Sequence, residues 1–435
     1  MTLWIRGGDL VDPIKGLVEN QDIIIEDGRV SKILPSGEFT EKGGRISIID
    51  ASGRLIIPGM IDMHVHLREP GYEYKETIET GSLAGVAGGF TGVACMPNTD
   101  PANDNVSVTE FILKQADKAG KLKVYPIAAI TKGRKGESLT EFGDLKKAGA
   151  IGVSDDGSPV INSELMRRAV EYARYHDLIV ISHCEDMHLS EGGVMHEGLI
   201  STKIGLKGTP SASEEIMVER EISLARLTGC PVHIAHVSTA GSVNAIRRAK
   251  EDGLPVTAET APHYFSLDHA EVMGYNTNAK INPPLRSPED VYAIKRGLAE
   301  DVIDVIATDH APHSLLEKNL EFDKAAFGII GLETALPLTL ALVREGILTI
   351  QSAVRKLTYS PASILRINRG VVQEGSIADL AVIDPEFEYT LKEEDIMSKS
   401  KNTPFIGKRL KGRNILTIAE GQIVWSRDSK HIGCR

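Results

Sequence analysis

From Gly59 onward the chain alternates short apolar runs with longer segments whose apolar residues recur at three and four, and no other feature constrains its fold as strongly. The runs are "GMIDMHVH", "TGVACMPN", "KVYPIAAI", "AIGVSDD", "LIVISHCE", "PVHIAHVS", "PVTAETAPHY" and "DVIDVIATDH". Between them lie helix-like stretches such as "SVTEFILKQADKAG", "SELMRRAVEYARYHD", "SEEIMVEREISLARLTG" and "GSVNAIRRAKEDG". Strand–helix alternation implies parallel strands, and eight of them is the number that closes a (β/α)8 TIM-type barrel. The barrel is expected over residues 58–365. Before it, "LWIRGGDLVD", "DIIIEDGRVSKIL" and "RISIIDASGRLIIPG" read as short strands broken by turn residues, and β patterning returns in "SIADLAVIDP" and "NILTIAEGQIVWS". Residues 1–57 and 366–435 are therefore expected to build one small β-sandwich domain from both termini.

The charge balance narrows the partners. With 60 acidic against 49 basic residues the net charge is −11, which argues against a general binder of nucleic acid or anionic membrane and favours a small-molecule substrate. No apolar run approaches the length of a membrane span and no early signal-like stretch is present, so a cytoplasmic protein is expected. Cys95, Cys184, Cys230 and Cys434 are widely spaced without a CxxC pair, and are expected to be mostly buried apolar fillers.

Ionisable residues collect where barrel active sites lie, at the C-terminal ends of strands. His64 and His66, two apart, point the same way from the first strand; the pair alone is equally compatible with a satisfied core. The fourth run ends in Asp155 and Asp156, the fifth carries His183, the sixth His236 and the eighth Asp309. Burying these groups together is costly unless something satisfies them, and a divalent metal does so. His64, His66, Asp156, His183, His236 and Asp309 are accordingly read as ligands of one or two zinc-like ions. Periodicity leaves Asp155 open as the alternative to Asp156.

"DMHVHLREPG", "MPNT", "SDDGSP", "SHCE", "HVST", "NPPLR" and "ATDHAPH", in this order and with "GSIADLAVID" near the end, resemble the amidohydrolase superfamily and within it the bacterial class I dihydroorotases. The resemblance runs over nearly the whole chain. It implies the reversible cyclisation of N-carbamoyl-L-aspartate to L-dihydroorotate, by metal-activated hydroxide with Asp309 as proton shuttle. It further implies that His64, His66 and Asp309 hold the more buried Zn2+, that His183 and His236 hold a second, and that Asp156 bridges where many relatives use a carboxylated lysine. Arg68, Asn98 and His313 would hold the substrate carboxylate, with Asn282 and the backbone of Phe327 and Gly328 addressing the ring. Each has a plainer alternative: a surface salt bridge for Arg68, turns beside proline for Asn98 and Asn282, and a surface or supporting role for His313. The resemblance is compatible with a homodimer and with association with aspartate carbamoyltransferase.

Two further stretches carry expectations. Lys132, Arg134 and Lys135 in "TKGRKGESLTEFGDL" read as a solvated charge run, and "EGGVMHEGLISTKIGLKGTPSASEE" as a mobile glycine-rich loop near the site mouth. His263 and His310 read as structural or supporting.

Overall fold

All eight apolar runs form strands: Met60–Val65, Phe90–Cys95, Lys123–Ala128, Gly152–Val153, Ile179–Ser182, Val232–Ile234, Val256–Thr260 and Val305–Ile306. The computed structural model describes residues 2–39, 46–427 and 432–434. Each strand pairs with its sequence neighbours in one parallel sheet. The ring closes where Val65 bridges His310 and the His66 N–H donates to the His310 carbonyl at 2.9 Å. Asp62 reinforces this seam, its buried carboxylate accepting from Thr308 N–H at 3.1 and 3.2 Å. Inside the barrel, Ile61, Met63, Ala94, Met96, Ile127, Ile181, Ala235, Val305 and Ala307 pack into one apolar cluster drawn from strands around the ring.

Several strands are shorter than their apolar runs, because the ends of those runs leave the ladder to form the rim. In "AIGVSDD" pairing stops at Val153, and beyond it Asp156 turns into the site while Asp155 turns back to the Ile130 and Thr131 N–H groups. The connecting helices begin and end on ordinary capping chemistry. Helix Ile78–Gly88 starts with a Thr77–Thr80 capping box and stops at Gly89, whose φ of 100° is the left-handed conformation that glycine tolerates best.

A second sheet draws strands from both ends of the chain. Its central order is Gln422–Ser426, Arg409–Ala419, Leu380–Thr390, Leu55–Pro58, Thr2–Asp12, Gly16–Glu26, Arg29–Pro35, while Ile46–Asp50 pairs with Thr2–Asp12 and with Ile432–Cys434. Leu55–Pro58 joins the halves, parallel to the first strand and antiparallel to Leu380–Thr390. This sheet has its own core, in which Ile5, Ile23, Ile25 and Ile56 pack against Leu380, Val382, Leu416 and Ile418. The barrel with an added sheet from the termini is the architecture expected from the pattern. Arg45, which opens the third N-terminal run, and the Cys434 side chain lie outside the described residues; Cys95, Cys184 and Cys230 are buried free thiols. No described helix is long and apolar enough to cross a membrane.

The two layers are fastened by polar side chains as well as apolar contact. Asn414 Nδ2 donates to the carbonyls of Val86 at 3.1 Å and Ala87 at 3.2 Å, and Thr417 Oγ1 donates to Val86 at 2.6 Å, which satisfies the C-terminal turn of helix Ile78–Gly88. Asn414→Ala removes the donor to the Ala87 carbonyl, while Val86 keeps Thr417 and the Gly89 N–H, and should lower the apparent unfolding free energy by about 1–3 kcal/mol in urea titrations, with metal content unchanged.

Candidate metal centre

Six side chains from five strand ends converge on the barrel rim, and all are buried. Asp156 lies at their centre. Its Oδ1 is 3.4 Å from His64 Nε2, 3.4 Å from His183 Nδ1 and 3.4 Å from His236 Nε2, and its Oδ2 is 3.6 Å from His66 Nε2. Asp309 Oδ1 lies 2.9 Å from His66 Nε2 and 3.7 Å from His64 Nε2. Two three-residue groups able to hold an ion share Asp156: His64, His66 and Asp156, and Asp156, His183 and His236, with ligand atoms in each within 4.8 Å of one another. Asp155 points elsewhere. Its carboxylate accepts from the Ile130 N–H at 2.8 Å and the Thr131 N–H at 3.1 Å.

The donor set fits a divalent cation. His64 Nε2 and Asp156 Oδ1 are buried without a hydrogen-bond partner, although each faces the other. His183 Nδ1 and His236 Nε2 face each other at 2.7 Å, a contact in which only one neutral ring can donate. Cations in the two groups that share Asp156 would satisfy all four atoms, and imidazole nitrogens with carboxylate oxygens suit zinc-type ions. The electrostatics agree. Burial would depress His64, but the Asp156 and Glu259 carboxylates hold it well above its ordinary range; burial likewise opposes ionisation of Asp156, yet His64, His183 and His236 keep it well below. Three rim residues, Arg68 (φ 65°), His236 (φ 34°) and Asp309 (φ 47°), adopt left-handed backbone, a strain that clusters at functional sites.

Two carboxylates behind the histidines escaped the sequence reading. Glu259 Oε1 lies 2.5 Å from His64 Nδ1, and the other oxygen is 3.3 Å from His233 Nε2. It sits in the run "PVTAETAPHY", where a lone acidic residue in an otherwise buried strand was the available signal. Glu185 Oε2 accepts from His183 Nε2 at 2.8 Å and from Asn282 Nδ2 at 2.9 Å, so it links a ligand-type histidine to Asn282. Carboxylates in this position fix ring orientation and tautomer.

At the mouth, Arg68 is buried at 8% exposure, which decides against a surface salt bridge. Its Nε donates to the Pro312 carbonyl at 3.1 Å and its Nη2 lies 3.2 Å from His313 Nε2. Burial, with Arg68 and Lys75 beside it, pushes His313 down to about 2, so the ring is neutral and can accept from Arg68. Lys75, also missed, pairs with Glu317 at 2.8 Å beside this ring. Asn98 Oδ1 lies 2.8 Å from His66 Nδ1. Phe327 lies 4.4 Å from the Lys280 ammonium, measured to the ring centroid. The Gly328 N–H donates to the Lys280 carbonyl at 2.9 Å, and the Gly328 carbonyl accepts from Lys318 at 3.1 Å. His310 Nδ1 accepts from the Gly331 N–H at 3.1 Å, while His263 is buried with Nε2 unpartnered.

The structure corrects one surface expectation. Arg134 is not on a solvated face: it is half-buried, its Nη2 donating to the Asp156 carbonyl and, at 3.1 Å, to Ser158 Oγ, whereas Lys132 and Lys135 are exposed. Charge alone could not show that the chain folds back over the fourth strand there. The segment expected as a mobile glycine-rich loop carries secondary structure of its own: Met195–His196 and Gly208–Thr209 pair as parallel strands around helix Leu199–Ile204. The buried Arg286 donates to Thr209 O at 3.2 Å and ties this unit to the rim.

Glu259→Gln removes the charge behind His64 while keeping its shape. Affinity for added zinc, measured by chelator competition, should weaken by about 10–100-fold, with the metal-free protein unfolding at the parent temperature.

Residues 53–242 match the model of the family described as dihydro-orotase-like. A dihydroorotase of Geobacter metallireducens is 52% identical over 427 residues, covering 98% of this chain and 100% of the relative. One of Pelotomaculum thermopropionicum is 53% identical over 425 residues, covering 98% of each. Among solved structures, the L-hydantoinase from Arthrobacter aurescens superposes with a TM-score of 0.87 at 24% identity, over 98% of this chain and 96% of that one. That likeness speaks for the fold. Identity at this level along almost the full length shows that the chain belongs to the dihydroorotase family.

Proposed function

We propose that this chain interconverts N-carbamoyl-L-aspartate and L-dihydroorotate in the manner of a bacterial class I dihydroorotase, using one or two zinc-type ions. The observation that carries the reading is a buried carboxylate, Asp156, ringed by four imidazoles, with Asp309 at one side. His64 and His66 would hold one ion with Asp309, His183 and His236 the second, and Asp156 would bridge. What such an ion supplies when bound is Lewis acidity, which acidifies water to near neutrality and polarises a carbonyl.

The remaining work falls to side chains. Asp309, held by His66, accepts the proton of the attacking water and delivers it to the leaving ring nitrogen, and the reverse path closes the ring. Glu259 and Glu185 keep His64 and His183 oriented while charge shifts. Arg68 presents a planar fork to the substrate carboxylate, with Asn98 and His313 beside it, while Asn282 and the Phe327–Gly328 backbone face the ring. The Gly328 N–H and carbonyl are both engaged within the protein, which leaves the Phe327 side of that segment for the ring. Closure consumes a proton, so lower pH favours the cyclic form.

The same reading places the chain in the cytoplasm, divides it into residues 1–57 with 366–435 and a barrel over 58–365, and accommodates a homodimer or a complex with aspartate carbamoyltransferase. Hydantoinase-type chemistry on an uncharged ring is the alternative to test. A site built around a ring carboxylate discriminates strongly against a ring that lacks one. Steady-state assays with L-dihydroorotate and dihydrouracil should show turnover of the first and little of the second; preference for dihydrouracil defeats the proposal.

Two substitutions separate proton transfer from binding. Asp309→Asn should keep the fold by circular dichroism, bind metal imperfectly and abolish turnover. Arg68→Gln should chiefly raise KM for L-dihydroorotate, with a loss of about 1.5–3 kcal/mol from kcat/KM.

A further inference from the structure

A strap from the C-terminal part of the chain, residues 397–403, runs alongside the barrel mouth and is bonded to loops on both sides of the seam. Met397 and Ser398 donate backbone N–H groups to Glu333 at 2.6 and 3.3 Å. The Lys399 N–H donates to Glu76 at 3.0 Å, joined by the Ser398 hydroxyl, and Ser400 Oγ donates to the Lys75 carbonyl at 2.7 Å. The bonds to Glu76 and Lys75 fix the strap to the loop that follows the first barrel strand and carries Arg68, and those to Glu333 to the segment before helix Ala335–Arg344.

Asn402 then reaches into the loops that follow the eighth strand. Its buried Nδ2 donates to the Ala311 carbonyl at 2.9 Å and to the Gly328 carbonyl at 3.0 Å. Its Oδ1 accepts from the His313 N–H at 3.0 Å, and its own carbonyl accepts from the Ile330 N–H at 3.1 Å. One residue therefore bonds both the 311–313 and the 328–330 segments. These segments touch closely: a Cβ on Gly328 would fall 2.6 Å from Ala311 O and 2.8 Å from His313 Cδ2. A side-chain amide is suited to this task, since it donates twice and accepts once in a rigid plane.

We infer that Asn402 is a positioning residue for substrate recognition, which sets His313 and the Phe327–Gly328 backbone relative to each other and, through His313, steadies Arg68. The inference rests on the proposed reading of His313 and Phe327–Gly328 as substrate contacts. Asn402 touches no reacting atom. Its loss would loosen the pocket wall and spare the metal ligands, so the effect falls on binding.

The test is steady-state kinetics with L-dihydroorotate on Asn402→Asp, Asn402→Ala and His313→Ala, with metal content and thermal unfolding measured on each. Asn402→Asp preserves size and the acceptor for the His313 N–H while deleting both donated bonds, so it carries the test if the alanine variant does not fold. Both Asn402 variants should raise KM about tenfold, with kcat and metal content within about twofold of the parent. His313→Ala should raise KM by itself. If His313→Ala raises KM and Asn402→Asp does not, the positioning role is wrong and the pocket reading stands. If neither changes KM, the pocket reading fails and the inference falls with it. A lower unfolding temperature and lower kcat at unchanged KM would mark Asn402 as a structural prop and overturn the inference.

Discussion

Everything at the rim depends on one carboxylate held where it cannot be satisfied by hydrogen bonds alone. Asp156 is buried among four imidazoles, and its Oδ1 and the Nε2 of His64 have no hydrogen-bond partner. A buried anion and several buried imidazoles can share a site at tolerable cost only when a compensating positive charge occupies the space between them. Asp309 and Arg68 acquire meaning from that requirement. One lies against His66 within the ligand cluster, and the other is buried at the mouth, where a carboxylate would complete its bonding.

The rest of the barrel serves to hold this cluster against its own repulsions. Glu259 and Glu185 stand behind His64 and His183, and Asp62 fastens the seam between the first and eighth strands. Burial pushes the Asp62 carboxyl up to about 7, while Glu259 is held down at about 2 against the same burial by His64 and His233. Similar acids in one core thus behave oppositely. Burial raises both; the imidazoles around Glu259 overcome it, whereas the hydrogen bonds that Asp62 accepts from His64 and Thr308 offset it only in part.

The sheet built from the termini joins the barrel side through Asn414 and Thr417, and the strap that crosses between its strands contributes Glu76 and Asn402 contacts at the mouth. Segments distant in sequence from the clustered imidazoles thereby brace the loops at the barrel mouth. This division suits the chemistry. The clustered side chains on strand ends are placed rigidly by the barrel, while the mouth is formed by loops braced from outside.

Strand number, the barrel, the added sheet and the residue types at the strand ends were legible because they follow from local rules: apolar periodicity, turn residues, and the cost of burying ionisable groups. Position in a run was enough to single out His64, His66, His183, His236 and Asp309, and it could not separate Asp155 from Asp156. Only the fold turned Asp155 toward Thr131 and Asp156 toward the imidazoles. Nor could sequence show that Glu259 lies behind His64, that Arg134 folds over the fourth strand, or that Asn402 meets Gly328, since each contact joins residues far apart along the chain. Local patterning determines which elements form and which face is apolar, because those preferences act within a turn or a strand. Which side chain meets which across the barrel is settled by closure and packing, and so belongs to the tertiary structure.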